Sequence, residues 1–214
     1  MFCTDSLYGG FLLNYTPTYQ QDDVEVISRE RVFQGFFAVD KLSLKHRRYA
    51  GDWSPSFSRE LFCRGRAVGV LLHDPEQDQL VLVEQFRVGL LDNAQQSPWV
   101  LELVAGIIDE GESPEQVATR EVQEEAGLQV NDLRFICEYY NSPGGSDECI
   151  SVFYGRVDAS QADGIHGLAD EHEDIKVVVL PVADALAALQ AGKINNAMAI
   201  IALQWFRLQY VCSN

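Results

Sequence analysis

Residues 106–128 read GIIDEGESPEQVATREVQEEAGL, seven Glu or Asp against one Arg. Ser113, Pro114 and Gln116 write a helix start. A hydroxyl caps the first turn, a ring presets φ, and an amide three residues on reaches back to the cap. Gly127 closes the helix, because glycine takes the left-handed conformation at no steric cost. On that helix Glu121 and Glu125 lie about 40° apart on one face. Like charges four apart repel, and no Lys or Arg stands four residues from either; Arg120 is placed to pair with Glu124 instead. Ala118, Val122 and Ala126 form the neighbouring apolar stripe, so the carboxylates border a packed face. An acidic face turned to water is the plain alternative. A hard divalent cation answers the repulsion better: Mg²⁺ takes carboxylate oxygens and keeps waters that it shares with substrate phosphates.

Upstream, β-rich segments at residues 24–48 and 58–64, turning at GFF and GDWSP, predict a small N-terminal sheet. Residues 67–72 are a continuous apolar run, the pattern of a strand buried on both faces. Strands are expected at residues 80–86 and 99–105, and downstream of the helix at 132–140, 148–157 and 175–180. Residues 158–174 read as one long acidic loop, and loops of that length in a compact domain are usually functional or disordered. Helices are expected at residues 183–189 and 195–211. Strands and helices mix without regular βαβ alternation, so the fold class is α+β, a mixed sheet between helices. The domains run as an arm (1–21), a β-sheet dimerisation region (22–64) and the main domain (65–214).

Composition bounds the function. The chain has 214 residues, 47% hydrophobic, and a net charge of −16. So acidic a chain repels nucleic acid and anionic membrane, while a phosphate-bearing small molecule stays open to it if cations screen the site. The five cysteines form no CxxC pair and no zinc-finger spacing. The N-terminus shows no basic segment followed by an apolar one, and no run reaches transmembrane length. The expectation is a soluble cytoplasmic protein with free thiols.

The stretch runs Gly106, five residues, Glu112, seven residues, Arg120-Glu121, Val122, one residue, Glu124-Glu125, one residue, Gly127, Leu128. It resembles the Nudix box at every specified position. Over residues 23–210 the chain is similar to the Nudix hydrolases, and within them to the bacterial enzymes that hydrolyse ADP-ribose. The resemblance implies Mg²⁺ (or Mn²⁺) held by Glu121, Glu125, the Ala105 carbonyl and, in or beside the site, Glu124. It implies that Arg120 orients carboxylates and that Gly106 permits the tight loop before the helix. Pro143 in SPGG, fifteen residues beyond Leu128, looks like the ADP-ribose marker. GIHGLADEHED resembles the acidic loop of those enzymes, with Glu171 as general base and Glu173 as a further metal ligand. His172 departs from the Asn expected between them. By the same resemblance Phe36 stacks on adenine, Arg59 and Glu148 hold the base edge or ribose, and Arg87 holds the phosphates. Phe36 and Arg59 would come from a partner subunit in a domain-swapped homodimer. A hydrolase of GDP-mannose or ADP-glucose, or a regulator that binds ADP-ribose without cleaving it, are the alternatives.

Overall fold

The computed structural model describes residues 15–168 and 172–211. The chain divides after Leu61 into two compact units. In the first, β1 (Val24–Gln34) and β2 (Ala38–His46) form an antiparallel hairpin and β3 (Phe57–Cys63) completes a three-stranded sheet in the order β1-β2-β3. Asp40 is buried on β2 between Arg29 and Arg31, and these two hydrogen-bonded guanidinium groups hold its carboxyl far below the usual carboxylate range.

The second unit carries an eight-stranded mixed sheet. Its strands are β4 (Arg66–Asp74), β5 (Gln79–Phe86), β6 (Trp99–Glu102), β7 (Val104–Ile107), β8 (Asn131–Tyr140), β9 (Cys149–Arg156), β10 (Ile165–His166) and β11 (Ile175–Pro181). The order is β10-β11-β5-β4-β9-β8, with β4 and β9 parallel and the other neighbours antiparallel. Side chains alternate across it. Val68, Val70, Leu72, Val81, Val83 and Phe153 face α1 (Pro114–Ala126). Leu71, Leu80, Leu82, Val152 and Tyr154 face α2 (Val182–Gln190) and α3 (Ala197–Phe206). Two apolar cores thus cover both faces, which is why residues 67–72 carry no polar alternation.

Three expectations change. Residues 99–105 are not one strand: β6 pairs with β5 and β7 pairs with β4, and the fully buried Leu103 sits at the break. The cause is a split in the sheet. β4 and β5 pair only from Leu72–Val81 to Asp74–Gln79, and the strands then take different partners. The loop at 158–174 contains a 3-10 turn, Ala159–Gln161, and the edge strand β10. The last helix starts later than expected, because Asn196 caps it by accepting from Ala199 N–H at 3.0 Å. It widens into a π turn at Arg207–Val211, where Tyr210 stacks on Phe206 and Tyr154. No described helix is long and apolar enough to cross a membrane.

Candidate functional site

The helix α1 begins as its sequence dictates. Ser113 accepts from Gln116 N–H and the Gln116 side chain accepts from Ser113 N–H, with Pro114 at the first position. Gly127 closes it with φ 67°, its N–H returning to Gln123 O. Val117, Ala118, Val122 and Ala126 are buried on the sheet. The same face carries two acids: Glu121 is 9% exposed and Glu125 is 3% exposed. They are inside the packed face, not at its border.

The split sheet supplies the opposite wall. Ala105 on β7 donates its N–H to Glu125 Oε2 at 3.0 Å. Gly106 beside it lies so close to Glu121 that a Cβ there would sit 1.9 Å from Oε1 and 2.1 Å from Cδ. The bare backbone at residue 106 is therefore the cradle of the Glu121 carboxylate. Arg120 does more than pair with Glu124. Its Nη1 donates to Glu121 Oε1 at 2.8 Å and to Glu124 Oε2 at 3.1 Å, and its Nη2 lies 3.5 Å from Glu112 Oε2. The expectation that no cation relieves Glu121 is thus corrected, since an arginine next in sequence reaches the same acid that a residue four away would reach.

Relief is incomplete. Burial pushes Glu121 up to about 7 and Glu125 up to about 8, far above the ordinary 4.5. Glu173 raises both further, which places its charge within reach of the pair. Glu173 is held by accepting from Leu168 N–H at 3.1 Å, and Gly167 N–H donates to Glu124 O, tying this loop to α1. Buried carboxylates only partly compensated, one of them against the Gly106 backbone, and all with oxygen donors, fit a hard divalent cation. Among the described residues no three acid, His or Cys side chains close a metal shell.

Arg87 follows β5 and its Nε binds Glu102 Oε2 at 2.7 Å, with Glu102 buried on β6. Its charge acts on Glu125 as well. Glu148 is engaged by the protein itself: Arg64 Nη2 lies 2.7 Å from Oε1 and Asn141 Nδ2 donates to Oε2 at 2.8 Å. Pro143 lies in the turn that precedes it, where Gly145 and Ser146 N–H both return to Ser142 O. Asp147 Oδ1 pins that turn by accepting from Arg64 and Gly65 N–H. Phe36 is 85% exposed at the β1–β2 turn, so it is not core. Arg59 lies over the Phe57 ring at 4.6 Å. Both belong to the first unit. Glu171 lies outside the described residues. His172 has φ 58°, a left-handed backbone that favours Asn, Asp and His among residues with side chains. Glu102, Arg64, Asn141 and Asp147 escaped the sequence reading. Only an acid inside the apolar run at residues 99–105 pointed to any of them.

A NUDIX domain model matches residues 64–201, and the chain belongs to the NUDIX family. Its relatives are named more narrowly. An ADP-ribose pyrophosphatase of Escherichia coli O6:H1 is 46% identical over 197 residues, spanning 92% of this chain and 94% of that protein. An ADP-ribose pyrophosphatase of Haemophilus influenzae is 44% identical over 194 residues, spanning 90% and 89%. A GDP-mannose pyrophosphatase of Cronobacter sakazakii is 32% identical over 188 residues, spanning 87% and 96%. The crystal structure of an ADP compounds hydrolase matches with a TM-score of 0.66 at 22% identity, covering 91% of this chain and 99% of that one, a likeness of fold.

Proposed function

We propose that this chain is an ADP-ribose pyrophosphatase that uses Mg²⁺, or Mn²⁺, to hydrolyse ADP-ribose to AMP and ribose 5-phosphate. The observation that carries the chemistry is the buried Glu121–Glu125 pair, Glu121 against the bare Gly106 backbone, only partly relieved by Arg120 and the Ala105 N–H. The relatives at 44–46% identity carry the substrate.

Glu121, Glu125, Glu173 and the Ala105 carbonyl would hold the cation, with Glu124 in or beside the site. Once bound, it neutralises the diphosphate and makes water a better nucleophile. Arg120 keeps Glu121 and Glu124 aimed. Arg87, steadied by Glu102, takes a phosphate oxygen. Glu171 accepts a proton from the attacking water, whose oxygen joins the adenosyl-side phosphorus as the bridging P–O bond breaks and ribose 5-phosphate leaves. Glu148, preset by Arg64 and Asn141, and Arg59 hold the base edge or ribose, and the exposed Phe36 stacks on adenine. Phe36 and Arg59 serve the site of a second copy in a homodimer.

The test is a panel of ADP-ribose, GDP-mannose, ADP-glucose, NADH and diadenosine polyphosphates with Mg²⁺, products separated by chromatography. The highest kcat/KM falls on ADP-ribose. Preference for GDP-mannose, the substrate named for the more distant relatives, would keep the chemistry and defeat the substrate assignment.

A further inference from the structure

Gln85 sits next to the end of β5, paired with Val100 on β6. Alternation along β5 turns it to the same face as Val81 and Val83, the face that α1 covers. Glu84, on the other face, pairs with Lys176. Two residues on, Arg87 meets Glu102, which is itself opposite Val83. Gln85 therefore lies on the sheet face that α1 covers, between Val83 and Arg87 along the chain. It is 6% exposed, and among the described residues its Nε2 is the buried side-chain nitrogen or oxygen without a hydrogen-bond partner.

A buried amide with unused donors costs more than an ordinary hydrogen bond gains. A Met or Leu would fill the same space and extend the valine face at no such cost. Neither nearby bond serves it: Glu102 Oε2, opposite Val83, is held by Arg87, and Glu125 Oε2 takes the Ala105 N–H. The acceptor that the amide lacks arrives with a diphosphate, which brings several oxygens to the Arg87 side of the site. An uncharged donor also suits this wall, since it adds a hydrogen bond without opposing a cation. We propose that Gln85 is a further substrate-binding residue whose carboxamide donates to a diphosphate oxygen beside Arg87. This rests on the pyrophosphatase reading.

Gln85→Met tests it, with Gln85→Leu as the second variant. Thermal unfolding of both is expected to be unchanged or shifted upward, because an unpaired donor is removed. KM for ADP-ribose is expected to rise about tenfold to a hundredfold with kcat little changed, the loss of a hydrogen bond to a charged group. A lowered Tm with unaltered kinetics would make the amide a structural group and overturn the proposal. Unaltered Tm and kinetics would overturn it equally. The two readings fail separately. If the wild type cleaves GDP-mannose and not ADP-ribose, the same KM comparison is made on GDP-mannose. If it cleaves neither, calorimetry with Mg²⁺ and pyrophosphate decides, and equal affinity in wild type and Gln85→Met sinks the proposal.

Discussion

Replacing Gly106 with Ala adds one methyl group at the most constrained point of the site. Its Cβ would lie 1.9 Å from Glu121 Oε1 and 2.4 Å from Glu121 Cγ, where ordinary contact begins at 3.4 Å. The carboxylate must retreat by about 1.5 Å, or β7 must shift. Neither is easy: Glu121 is buried and bonded to Arg120, and β7 is paired along β4. A displacement of about 1 Å in a reacting constellation costs on the order of 10²-fold in rate. Overpacking costs about 1–3 kcal/mol of stability. Initial rates on ADP-ribose across a Mg²⁺ titration should show kcat/KM down about 10²-fold and a raised Mg²⁺ requirement, with a lower Tm. Gly89→Ala is the control, because a Cβ there meets nothing within 4 Å. A Gly106→Ala enzyme with wild-type rate and metal requirement would show that Glu121 does not work from this cradle.

Two further outcomes follow from the acids. Folded Glu125 titrates near about 8 against 4.5 ordinarily, so between those values the metal-free folded chain holds a proton that the unfolded chain has released. Its contribution to stability therefore declines as pH rises through this window. In urea melts with chelator, wild type should lose ground to Glu125→Gln as pH rises from about 5 to about 8, and added Mg²⁺ should restore wild type most at the high end. Buried His73, pushed below its ordinary value by desolvation, acts in the opposite sense but equally in both proteins. A difference independent of pH would contradict the burial argument. Glu171→Gln should lower kcat by about 10²–10⁴-fold with Tm unchanged; a loss of only a fewfold would move the base to Glu173 or Glu148.

The helix that carries the site was readable because its signals are local. Cap, N1 proline, closing glycine and the acids at i and i+4 all lie within residues 113–127. The strands buried on both faces were readable for a similar reason, as apolar runs. The split between β4 and β5 was not. Residues 99–105 are apolar throughout except Glu102, and nothing local says that the halves take different partners. Register hid the rest. Arg87 meets Glu102 across 15 residues and Arg64 meets Glu148 across 84, contacts that only the assembled sheet creates. Phe36 in QGFFAV could equally have been core, and its exposure comes from its place in a hairpin turn.

The most direct measurement is hydrolysis of ADP-ribose in ¹⁸O-labelled water with Mg²⁺, with products weighed by mass spectrometry. The account predicts AMP and ribose 5-phosphate with the label in the AMP phosphate. Label in ribose 5-phosphate would move the attack to the other phosphorus, and no product at all would contradict the assignment of this site to pyrophosphate hydrolysis.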